Sequence, residues 1–158
     1  MSIRNNFFKN WPYYIGQPLG AAALVSLLFF QGSRLFSGLI NLSLGSSIFT
    51  LAVFPHQPQS APRNLLGGYF CGALVGLLFA ALKHFWPEVP VSFWTAGVVF
   101  LAIFLILIVH SRHAPGTSLA LGVFFSPRPL AVSALALINI SVVCLVKELT
   151  KRWLKDLA

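Results

Sequence analysis

Two places in this 158-residue chain carry polar side chains at a spacing that chemistry can use. The first is the run FPHQPQSAPRNLLGG from Phe54 to Gly68, where Pro55, Pro58 and Pro62 keep the chain extended until an apolar stretch opens with Arg63 and Asn64. Pro62 suits the first turn of a helix, with Ser60 near its cap. A helix start offers unpaired N–H groups and the positive end of the helix dipole. A guanidinium within one turn adds a fixed charge, and together these hold a small anion. The competing reading is that Arg63 only anchors a helix end at the lipid headgroups. The second place is RHAPGTSLAL, from Arg112 to Leu121, where His113 precedes Pro115, Gly116, Thr117 and Ser118 at the opening of another apolar stretch. If the two openings converge, backbone donors and one charge make an anion site that needs no metal.

Other chemistry lacks its residues. The only carboxylates are Glu88, Glu148 and Asp156, and none falls inside an apolar segment. A proton relay through buried acids, the usual device of pumps and coupled carriers, is therefore missing. No nucleophile stands with a base, so no enzyme is expected. His56, His84, His110 and His113 include no pair in mid-segment, and Cys71 and Cys144 form no C-x-x-C, so neither a metal nor a cofactor is expected. Titratable gating or proton relay by His113 stays open. The neutral polar residues inside apolar segments, Asn41, Ser43, Ser46, Ser47, Thr95, Asn139 and Ser141, either bond across helices or line a path.

The elements that must position these residues follow from composition. The chain is 57% hydrophobic and 9% charged, against about 25% charged in an ordinary soluble domain. That excludes a soluble globular protein. Five apolar stretches, 16–31, 35–54, 65–82, 91–109 and 130–146, predict an all-α integral membrane protein; four reach the ~17–25 residues of a membrane span, and 16–31 is the shortest. Residues 114–126 are apolar but too short to span, and the Pro115 start and Ser126-Pro127 stop fit a re-entrant half-helix, with a hairpin carrying an apolar loop as the alternative. Residues 1–15, with Phe7, Phe8, Trp11, Tyr13 and Tyr14 around Lys9, read as an interfacial segment in preference to a cleaved signal peptide. Residues 16–147 form a single membrane domain and 148–158 a basic tail. Gly68, Gly72 and Gly76 repeat as a double G-x-x-x-G, a helix-packing ridge for the bundle or for a second subunit.

The formal charge of +8 does not mark a nucleic-acid binder, because the basic residues stand singly between apolar runs except for Lys147, Lys151, Arg152 and Lys155. They are boundary charges facing a lipid bilayer. For five spans, the basic residues divide nearly evenly between the two sides, and a cytoplasmic C-terminus is favoured only if Arg63 and Arg112 fold into a site.

The SAPRNLLGGY run at Ser60 to Tyr69, the LGSS run at Leu44 to Ser47 and the RHAPGTSLAL run resemble the two marker stretches of the HPP family of integral membrane proteins. The family's His-Pro-Pro followed by Ala-Gly-Ala-Thr stands here as His113-Ala114-Pro115-Gly116-Thr117-Ser118, and its Gly-Gly-His as Gly67-Gly68-Tyr69. The resemblance runs from about Pro18 to Leu149. It implies a small multi-pass protein of a bacterial, cyanobacterial-type plasma membrane, related to suspected transporters with plastid and cyanobacterial members linked to nitrite. It also implies that Pro62, Arg63, Asn64, His113, Pro115, Gly116 and Thr117 belong to the functional core.

The resulting expectation is passage of a small monovalent anion, nitrite foremost, by a channel or facilitator, in a homo-oligomer because so short a chain has few helices to enclose a pore. A structural or assembly protein, using its glycine ridge and basic tail for partner binding, is the alternative.

Overall fold

The computed structural model describes residues 3–32 and 38–157, with side chains for 11–28 and 42–157. Six helices and no strand occur among the described residues: α1 (Ile3–Gly32), α2 (Gly38–Val53), α3 (Pro62–Phe85), α4 (Val91–Ile108), α5 (Pro115–Phe124) and α6 (Pro129–Thr150). The protein is all-α, and α3, α4 and α6 are long and apolar enough to cross a membrane. Arg34 and the side chains of Arg4, Phe7, Phe8, Lys9 and Asn41 lie outside the described residues.

Proline sets most of the helix starts. Pro62, Pro115 and Pro129 each stand in the first turn of their helix, where the missing N–H costs nothing, and Pro90 caps α4. Ala61, not Ser60, occupies the cap of α3, and the Ser60 hydroxyl donates instead to the Thr50 carbonyl at 3.2 Å. In α1 the helix runs on through Pro12 and Pro18. The aromatic stretch before residue 15 and the apolar run after it therefore lie on one helix.

The end of α4 aims the second marker stretch inward. His110 has φ 55, the left-handed conformation, with its N–H bonded to the Leu107 carbonyl and the Ser111 N–H to the Ile106 carbonyl, both at 3.0 Å. This is a Schellman stop, usually built on glycine. It reverses the chain sharply enough that Ser111 and His113 turn into the bundle while His110 stays exposed.

The short helix expected at 114–126 is present as α5, whose ten residues span about 15 Å, half of a ~30 Å hydrocarbon core. It runs parallel to α3. Gly116 lies against Gly68 and Gly72, Ala120 and Val123 against Gly76, and Phe124 beneath the Lys83 ammonium at 5.2 Å. From there α6 returns the chain to the end where α3 begins, because Leu157 N–H bonds the Val53 carbonyl at 2.9 Å. Thus α5 carries the chain from the Arg63 end towards the Lys83 end as a half-length element. Arg63, Arg112, Lys151, Arg152 and Lys155 share one end of the bundle; Lys83 and Arg128 mark the other.

Two apolar clusters hold α5 in place. Leu119 and Val123 join Leu65, Tyr69, Val132, Ala136 and Ile140 on one side, and Ala120 and Phe124 join Val75, Val98 and Ala102 on the other. The outer faces stay apolar, as with Phe93, Phe100, Phe104 and Leu107 on α4, which suits contact with lipid. The basic tail is not free. Residues after α6 fold back so that Gln17 bonds the main chain of Lys155 in both directions, His56 N–H donates to Asp156 Oδ1, and the Tyr14 hydroxyl donates to the Leu157 carbonyl.

Candidate functional site

The glycine ridge makes the site possible. A Cβ added to Gly72 would strike the Gly116 carbonyl, one added to Gly116 would strike the Gly68 carbonyl, and one on Gly76 would come within 2.6 Å of the Ala120 carbonyl. The ridge of α3 therefore presses on α5 of the same chain. Of the two uses open to it from sequence, this contact is the intramolecular one. Close approach of the two backbones brings the connection 109–114 against the first two turns of α3.

Around that approach lie four buried polar side chains. His113, 2% exposed, has Nε2 2.8 Å from the Ser47 Oγ; Ser47 Oγ is 2.9 Å from the Tyr69 hydroxyl; Ser43 Oγ is 3.1 Å from the same hydroxyl and donates to the Pro115 carbonyl at 2.8 Å. Ser43 and Ser47 are one turn apart on α2, so both face α5. The main chain of Gln59 also bonds the His113 ring. In the tautomer that carries Nδ1–H, Nε2 is an acceptor. Ser47 has one hydrogen and two acceptors for it, the Ser43 carbonyl at 2.8 Å and His113 Nε2, and its oxygen can accept from the Tyr69 hydroxyl.

The residues selected from sequence divide between this cluster and its surroundings. His113 is inside it, and Pro115 joins it through its carbonyl. Gly116 forms the close helix contact, while Thr117 and Ser118 are half-buried in the first turn of α5. The Gly116 and Thr117 amides bond the His113 and Ala114 carbonyls at 3.3 and 3.0 Å, and the Asn64 and Leu65 amides both bond the Ala61 carbonyl. These first-turn donors are taken up within their turns. Asn64 spends its side chain on the Pro58 carbonyl, and its own carbonyl accepts from Ser111 Oγ at 2.6 Å. That last bond ties the start of α3 to the connection after α4, which sets Arg63 and Arg112 at one end of the bundle, both exposed. Among the described residues, neither has an ion pair.

Sequence reasoning placed Ser43 and Ser47 only among polar residues that bond across helices or line a path. Nothing in a single sequence pairs Ser47 with a histidine 66 positions later. The two marker stretches meeting on α2, α3 and α5 raise the question of ancestry. Residues 8–153 match the transmembrane region of the HPP family. The chain belongs to the HPP family. The match covers both marker stretches of this HPP protein, α2 to α6 and all of α1 but its first five residues, so the His113 cluster and the glycine contact lie inside the family's membrane region. No curated protein and no solved structure matches the chain. It is an integral, multi-pass membrane protein.

Proposed function

We propose that this HPP protein passes a small monovalent anion, nitrite foremost, across the membrane as a channel or facilitator, working as a homo-oligomer and without catalysis or a bound metal. One observation carries the reading: Ser43, Ser47, Tyr69 and His113 are buried together in an apolar bundle, below an end whose Arg63 and Arg112 have no ion pair among the described residues. Exposed guanidinium groups concentrate an anion at that end. Hydroxyl groups then rotate to donate to it in turn, and neutral donors hold a single charge weakly enough to release it. At this end Glu148 is paired with Lys147 and Lys151, so that carboxylate is not left to repel the ion. The choice of nitrite comes from the family resemblance.

The second reading is a structural or assembly protein, favoured by the exposure of Arg63 outside the His113 hydrogen bonds. Anion flux into liposomes containing only this protein separates the two, with nitrite, nitrate, formate and chloride compared. Arg63→Gln lowers the flux several-fold in a folded protein and Arg63→Lys retains part of it, because lysine restores the charge without the planar fork. Normal flux in folded Arg63→Gln removes Arg63 from the path. The absence of flux for all four ions leaves the assembly reading.

A further inference from the structure

Where α1, α2 and α6 converge at the Arg63 end, they enclose a groove of about 360 Å3, within the ~300–1,000 Å3 range of small-ligand clefts. Its walls are apolar: Leu24 from α1, Ile48 and Leu51 from α2, Val143 and Val146 from α6. Gly16 and Gly20 leave it open on the α1 side, since a Cβ added at either meets nothing within 4 Å among the described residues.

The mouth is charged and aromatic. Lys147 lines it, half of a pairing in which one carboxylate, Glu148, serves two ammonium groups, Lys147 at 2.8 Å and Lys151 at 2.6 Å. Lys155 stands over the ring of Tyr13, itself a lining residue, at 4.4 Å from its centre. Trp153, also lining, is 72% exposed, as suits an aromatic side chain at headgroup depth. An apolar slot with surplus positive charge at its interfacial mouth matches one kind of molecule. We infer that the groove holds an acyl chain of an anionic phospholipid whose phosphate sits among Lys147, Lys151 and Lys155.

The charge complementarity selects the occupant. A zwitterionic lipid would use the slot but not the surplus cations, and a second copy of this chain would bring further basic residues to a basic mouth. Each membrane-surface lysine adds to the attraction for anionic lipid, so removing two should cost roughly tenfold or more in preference.

Native mass spectrometry of the detergent-purified full chain, titrated with phosphatidylglycerol or phosphatidylcholine, tests this together with thermal melting. One phosphatidylglycerol is expected to remain bound and to raise the melting temperature more than phosphatidylcholine does. Gly20→Leu, which grows into open space, should melt as the parent does without lipid and lose the bound lipid. The Lys147→Gln, Lys155→Gln double variant should lose the preference for phosphatidylglycerol. Equal retention of both lipids by the parent, or unchanged lipid binding in Gly20→Leu, overturns the inference. Loss of a protein dimer in Gly20→Leu with no lipid bound to the parent overturns it in favour of a second copy. If Gly20→Leu melts lower without lipid, Gly16→Leu and the lysine double variant decide.

Discussion

Gly72 of α3 and Gly116 of α5 meet backbone against backbone, with no room for a Cβ on either side. In lipid, where apolar burial gives helices no preference for one another, such close contact is a main source of packing energy. Gly72→Ala should destabilise the protein by about 1–3 kcal/mol and Gly72→Leu by more, read as a lower melting temperature in detergent. Gly45→Ala, where a Cβ meets nothing within 4 Å among the described residues, is the matched control. Equal melting of the Gly72 and Gly45 variants would falsify the contact.

The hydroxyl cluster should respond unequally to its two simplest truncations. In Tyr69→Phe, the hydrogens of Ser43 and Ser47 still have the Pro115 and Ser43 carbonyls as acceptors, and the cost is about 1 kcal/mol. Ser47→Ala strips His113 Nε2 of its buried partner and costs about 1–3 kcal/mol. Denaturant or thermal unfolding in micelles ranks them. Under the transport reading, both lower anion flux several-fold in folded protein.

Asn139, 2% exposed on α6, has a side-chain amide nitrogen with no hydrogen-bond partner among the described residues. An unpaired buried donor costs about 1–3 kcal/mol, and an apolar residue of the same shape relieves it. Asn139→Leu is therefore expected to melt higher than the parent. A melting temperature lowered by several degrees would show that the amide has a partner in the working protein.

Orientation follows from the fold. Among the basic residues whose ends the fold fixes, Arg63, Arg112, Lys147, Lys151, Arg152 and Lys155 belong to the end where α3 begins, against Lys83 and Arg128 at the other. An excess of Lys and Arg marks the cytoplasmic side. The C-terminus is then expected on the cytoplasmic side. Arg128→Cys should react with a membrane-impermeant maleimide in intact cells and Lys151→Cys only after permeabilisation; the reverse pattern inverts the orientation.

The sequence alone determined the local terms of this structure. Apolar runs of sufficient length predicted α3, α4 and α6, because hydropathy over about 20 residues reports directly on crossing a hydrocarbon layer. Pro62 and Pro115 placed two helix starts, since proline acts on its own turn. Four-residue glycine spacing identified a packing face. Only the tertiary structure decided what that face meets, because small residues specify closeness and not a partner. It also decided the charge asymmetry: the ends alternate with each element, and a ten-residue helix that hydropathy counts as a loop moves Arg63 and Arg112 to the end shared with the C-terminus. The His113 cluster was likewise out of reach. Its hydrogen bonds join residues from three helices, and no local pattern encodes which hydroxyl, 66 residues away, will face a given imidazole.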